Sequence, residues 1–146
     1  MTAFATALAV LAGLAGSVQV AVMARLGDRA GVFGALAFAT ALTALGAAVL
    51  LLLARQSLSG YAAAARAPVW MWSGSMMGLL IVLTITLAGS RIGTTATVAI
   101  LIAGQLTMGA LIDRYGLFGA EKIALGWPRL LGILLLAVGA ALSLRR

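Results

Sequence analysis

The placement of charge constrains this chain more than any other feature. Residues 1–24, 30–54, 67–90 and 92–112 each lack Asp, Glu, Lys and Arg. An α-helix rises about 1.5 Å per residue, so about 20 apolar residues cross a hydrocarbon core about 30 Å thick. Each of the four runs reaches that length. A fifth run, residues 130–144, is shorter and follows Trp127-Pro128; proline suits a first helical turn. Arg129 at one end of it, and Arg145 and Arg146 at the other, can snorkel to the interfaces and accommodate a short span. Within lipid every backbone N–H and C=O must be bonded internally, and these runs lack the period-2 alternation of a barrel strand. The expected fold is therefore an all-α integral membrane protein, one transmembrane domain over residues 1–146. Its five helices are expected at about 3–24, 31–54, 69–89, 94–113 and 129–144. The first run has no basic segment ahead of it, which marks a retained helix rather than a cleaved signal.

Composition narrows the function. The chain is 64% hydrophobic and 9% charged, against about 25% charged in a soluble domain. Cysteine and histidine are both missing, which removes the thiol nucleophile, the usual general base and the commonest metal ligands. No carboxylates are paired and no phosphate loop is present. An enzyme, a metal site and a bound cofactor are accordingly not expected. A net charge of +7 could point to nucleic acid. The basic residues instead stand singly or in pairs between apolar runs, as membrane-flanking charges do. A channel would need a charged ring or a filter sequence, and neither is found.

Connections set the topology. "RLGDRAG" after the first helix and "GSRIG" after the third are expected as tight turns, with Asp28 in the former. Longer polar connections, "RQSLSGYAAAARAP" and "DRYGLFGAEKIALGWPR", join helices two to three and four to five. In the latter, Leu117, Phe118, Ile123 and Leu125 suit an interface. Trp70, Trp72 and Trp127 fall at helix ends, as an aromatic belt does. With five crossings, one face carries Arg55, Arg66, Arg114, Lys122 and Arg129, and the other carries Arg25, Arg29, Arg91, Arg145 and Arg146. Lys and Arg normally favour the cytoplasmic face; here the two faces tie. Either one strong determinant such as Arg25 with Arg29 fixes the orientation, or the chain inserts both ways and pairs antiparallel with itself.

Polar side chains inside the spans are Gln19, Thr40, Thr43, Ser73, Ser75, Thr84, Thr86, Thr97, Gln105 and Thr107. Hydroxyls in membrane helices usually bond their own backbone. An amide offers two donors and an acceptor, more than a helix backbone can satisfy. Gln105 and Gln19 are therefore either glue between helices or part of a solute path. Gly74-x-x-x-Gly78 and Gly104 permit close helix packing, within the chain or between chains. Met23 and Met108 offer soft, adaptable surface. The candidate substrate contacts are Gln105, Gln19, Trp72, Met23 and Met108. Asp113 and Arg114 form the charged end of helix four, as a local ion pair or a gate.

"Q19-V-A-V-M-A-R-L-G27", "W72-S-G-S-M-M-G78", "G104-Q-L", "I112-D-R-Y-G116" and "R129-L-L-G132" follow one another along nearly the whole chain. In these motifs the chain resembles the small five-helix proteins of the drug/metabolite transporter (EamA-like) superfamily, the YdcZ-type group. The resemblance implies a half-unit of an inverted-repeat transporter in a bacterial inner membrane. It also implies partnership with a second copy, or with an oppositely oriented paralogue, to move a small solute. The pattern has an asparagine where this chain has Met23. No mid-membrane glutamate of the small multidrug exporters has a counterpart, so proton-coupled export of lipophilic cations is disfavoured. Two functions stay open: a small-solute transporter acting as a dual-topology antiparallel homodimer, and a non-transporting membrane partner in a heteromeric complex.

Overall fold

At two points a single glycine separates one long helix from the next. In a computed structural model, which describes residues 2–55, 57 and 59–144, helix α1 spans Thr2–Ala30 and α2 spans Val32–Arg55. Gly31 alone separates them, at φ 75°. Its carbonyl accepts the first hydrogen bond of α2, from the Ala35 N–H at 2.9 Å. A short helix, α3, follows at Ser59–Ala65, then a 3₁₀ turn at Val69–Trp72 leads into α4, Ser73–Ile92. Gly93, at φ 83° and ψ 162°, separates α4 from α5, Thr94–Tyr115. That backbone conformation is essentially confined to glycine. Helix α6 covers Trp127–Ser143. No strand occurs among the described residues.

The expected turn at residues 25–31 is thus almost wholly helical, and Asp28 lies in α1 rather than in a loop. Arg25, Leu26, Arg29 and Ala30 are good helix formers, and charge does not end a helix. Only the left-handed Gly31 does. Each long helix also carries an arginine in its last turn: Arg29, Arg55, Arg91 and Arg114. A cation there complements the negative end of the helix dipole.

Four helical segments are long and apolar enough to cross a membrane: Thr2–Ala30, Val32–Arg55, Val69–Ile92 and Thr94–Tyr115. Helix α6 is apolar but has 17 residues, about 25 Å of rise. In α2 only 6% of the most apolar window is buried within the chain. Such helices are stable with acyl chains, not water, around them.

The described chain forms two compact units. In the unit Val22–Ser90, Met23, Ala24, Ala35, Ile85 and Thr86 are buried. They belong to the last turns of α1, the first turn of α2 and the later half of α4. Gly27 makes the close approach here: a Cβ added to it would stand 2.7 Å from Cγ2 of Thr86. The Thr86 hydroxyl donates to the Val82 carbonyl at 2.7 Å, which holds its methyl against Gly27. In the unit formed by Met1–Ala21 and Arg91–Arg146, α6 packs back along α5, and Val20, Ala96, Thr97, Ala110 and Ala140 are buried. Gly116, left-handed at φ 65°, caps α5 by donating its N–H to Ile112. Left-handed Phe118 and Gly119 turn the chain again.

The Gly27 contact is testable. Gly27→Ala is expected to destabilise the purified protein by about 1–3 kcal/mol through overpacking. Adding Thr86→Ser, which deletes the opposing methyl, should recover most of that loss in thermal unfolding. Equal losses in the two backgrounds would exclude the contact as the cause.

Candidate functional site

Nearly all intramembrane hydroxyls are satisfied by their own helix. Thr40 donates to Leu36, Thr43 to Ala39, Thr84 to Leu80, Thr86 to Val82, Thr97 to Gly93 and Thr107 to Ala103, at 2.7–2.9 Å. Ser73 reaches back to Trp70 at 2.7 Å. Gln19, Ser75 and Gln105 differ. None of their side chains is hydrogen-bonded among the described residues, and all three are exposed on the single chain.

Gln105 lies at the middle of α5, in a stretch exposed at every position from Gly104 to Met108. More than one full turn is therefore bare. A Cβ added to Gly104, Gly74 or Gly78 would meet nothing within 4 Å. Among the described residues no other helix is seated on these three glycines. Met108 is exposed and Met23 is buried.

Trp72 lines a surface groove of about 320 Å³ with Tyr61, Ala64, Ala65 and Ser75. A second groove of about 380 Å³ shares Tyr61 and Ala64, and adds Ala44, Ala47, Ala48 and Leu51 of α2 with Gly60. Helix α3 supplies one wall of both. This stretch, expected as a polar connection, is helical over Ser59–Ala65. The signal was present: four consecutive alanines, the best helix formers, follow Ser59-Gly60-Tyr61 and stop before Pro68. Neither groove includes Gln105, Gln19, Met23 or Met108.

Asp113 does not pair with its neighbour Arg114. Its carboxylate accepts a charge-assisted hydrogen bond from Arg129, sixteen residues along, at the start of α6. The Asp113 carbonyl also receives the Ile123 N–H at 2.9 Å. One residue thus ties the end of α5 to the connection and to the next helix. Arg114 instead lies 6.0 Å from the ring centre of Tyr115. In the connection, Leu117, Phe118 and Ile123 are exposed, as side chains reaching an interface would be.

Comparison with protein families gives a match to the family described as "Putative inner membrane exporter, YdcZ" over residues 4–142. The chain belongs to the YdcZ family. It is accordingly a membrane transporter of the inner membrane, built from apolar helices able to span it. Neither the curated proteins nor the solved structures yielded a match.

For a YdcZ-family chain the Asp113–Arg129 contact has a clear meaning in sequence terms. It joins "I112-D-R-Y-G116" to "R129-L-L-G132", two of the motifs that carried the resemblance. Spacing alone could not pair them, since the intervening connection has no regular period. Met23, where the resemblance led to the expectation of an asparagine, is 5% exposed. It fills an apolar site, where an unpaired amide would cost about 1–3 kcal/mol.

Both partners of the ion pair are partly exposed, at 38% for Arg129 and 26% for Asp113, so its contribution is modest. Arg129→Ala should lower stability by about 1 kcal/mol. Asp113→Arg and Arg129→Asp should each do the same, and the double exchange should recover part of the loss. A double variant no more stable than the sum of the single changes would show that the pair does not hold the two helices.

Proposed function

We propose that this YdcZ-family protein exports a small solute as a dual-topology antiparallel homodimer working by alternating access. The observation that carries this reading is the tie in Lys and Arg between the two faces, five against five. The helix ends supply a physical cause. Arg29, Arg55, Arg91 and Arg114 occupy the last turns of four long helices. In this reading consecutive spans run in opposite directions, so their C-termini alternate between faces and deliver charge equally to both. Insertion then lacks the asymmetry that normally decides it.

The reading includes a fifth crossing. Helix α6 begins level with the end of α5, where Arg129 meets Asp113, and runs back along α5. An odd number of crossings lets two oppositely inserted copies stand as inverted repeats, the arrangement in which transporters place a substrate near the bilayer midplane. The grooves beside Tyr61, Trp72 and Ser75 suit a neutral or amphipathic solute. Their walls are mostly alanine and aromatic surface, with the hydroxyls of Tyr61 and Ser75 as the polar groups of the lining.

Added charge tests the topology. Three lysines ahead of residue 1 should hold the N-terminus in the cytoplasm in nearly every copy, and three after residue 146 should do the opposite. The unaltered protein should show its C-terminus on both faces in comparable amounts. Each locked form alone should lose solute flux in proteoliposomes, and the two together should regain it. C-terminal tails on one face only would overturn dual topology. Absence of flux for a broad solute panel, with tails on both faces, would favour a non-transporting membrane partner.

A further inference from the structure

We infer that Gln105 forms the centre of the contact between two oppositely oriented copies, its amide bonding reciprocally to the same residue of the second copy. This rests on the antiparallel reading above and adds to it the place of contact and the group that makes it.

Three observations converge. Helix α5 runs from Thr94 to Tyr115, about 33 Å of rise, enough to cross the hydrocarbon core. Its midpoint falls between Gly104 and Gln105, which puts this step at the bilayer midplane. Two copies inverted relative to each other are related by a twofold axis lying in that plane. A residue at the midplane is therefore the one able to meet itself, whereas residues above and below it meet different partners.

The second observation is the unsatisfied amide. Gln105 is exposed and bonded to no described residue, while Thr107 on the same bare turn is bonded to Ala103. Left against acyl chains, a primary amide loses its hydrogen bonds to water and gains none. Being both donor and acceptor, the amide is self-complementary: two of them across a twofold axis exchange two N–H···O bonds, each donor finding a carbonyl. A hydroxyl satisfied within its own helix gives no such incentive. Thr43, near the middle of α2, illustrates this by donating to Ala39.

The third is clearance. Gly104 stands beside Gln105, and a Cβ there would meet nothing within 4 Å. A second helix can come close at this step without displacing any atom of the described residues. Gln19 lacks this setting. It lies three residues past the middle of α1, Thr2–Ala30, so in an inverted copy it would stand about 9 Å along the axis from itself.

The chain has no cysteine, so cross-linking needs no prior substitution. Ile102 and Met108 lie three residues on either side of Gln105, and both are exposed. In membranes under mild oxidation, Gln105→Cys should cross-link to itself. Ile102→Cys and Met108→Cys, co-expressed, should cross-link to each other in preference to themselves. In the antiparallel pair, like residues are displaced by about 9 Å along the helix axis. Gln105→Leu should raise the dimer dissociation constant roughly 3- to 30-fold, the range for an interhelical hydrogen bond in a membrane.

The outcomes separate. Self-cross-linking at residues 102 and 108 would mean a parallel pair, overturning both this inference and the antiparallel reading. Tails on both faces with no cross-link at residue 105 would overturn the inference and leave that reading standing. So would a Gln105→Leu variant that dimerises normally but has lost flux, because the amide would then line the path and not the seam.

Discussion

Everything in this structure depends on the absence of water around the spans. A backbone amide facing acyl chains has no partner other than its own helix, so the chain can leave helical geometry only briefly within or near the hydrocarbon. Gly31 and Gly93 meet that requirement with one residue each. In both cases the glycine carbonyl is recruited at once as the first acceptor of the next helix. The same constraint acts on side chains. The threonines fold their hydroxyls back onto carbonyls four residues earlier. Glutamine cannot do this with both ends of its amide, and it therefore carries information that threonine does not.

The helices were legible because charge is excluded from them so completely. Apolar runs located α2, α4 and α5 closely, and Trp127-Pro128 located the start of α6. The misplaced features share one cause, the habit of treating polar character as loop character. "RLGDRA" is charged and helical. "SGYAAAA" sits among serines and arginines and is helical too. Backbone propensity, not solubility, decided both. At the candidate site the two glutamines were readable as groups needing partners. Their exposure was not, since no pattern in a sequence says which side of an apolar helix is left bare. The partner of Asp113 was likewise hidden, because an irregular connection determines which cation returns to it.

The balance of charge in the proposed topology would follow from the same local physics. Arginine in a last helical turn is favourable wherever the helix ends, because it neutralises the exposed carbonyl end of the dipole. In the proposed topology, where successive spans end on opposite faces, a purely local preference would produce a global symmetry. No separate selection for equal faces is required. The protein's orientation would then turn on small local differences, such as Asp28 between Arg25 and Arg29 on one side and the neutralised Arg129 on the other.

The single-glycine joints also have a mechanical side. With one residue between α1 and α2, the angle between those helices is governed by the two torsions of Gly31, and no slack segment can absorb a displacement. Close by, Gly27 bears directly on Thr86 of α4. A tilt of the last turns of α1 would thus be conveyed to α2 and α4 as through a short, stiff crank. A rigid tilt of that kind would leave the hydrogen bonds within each helix in place and expose no backbone to lipid.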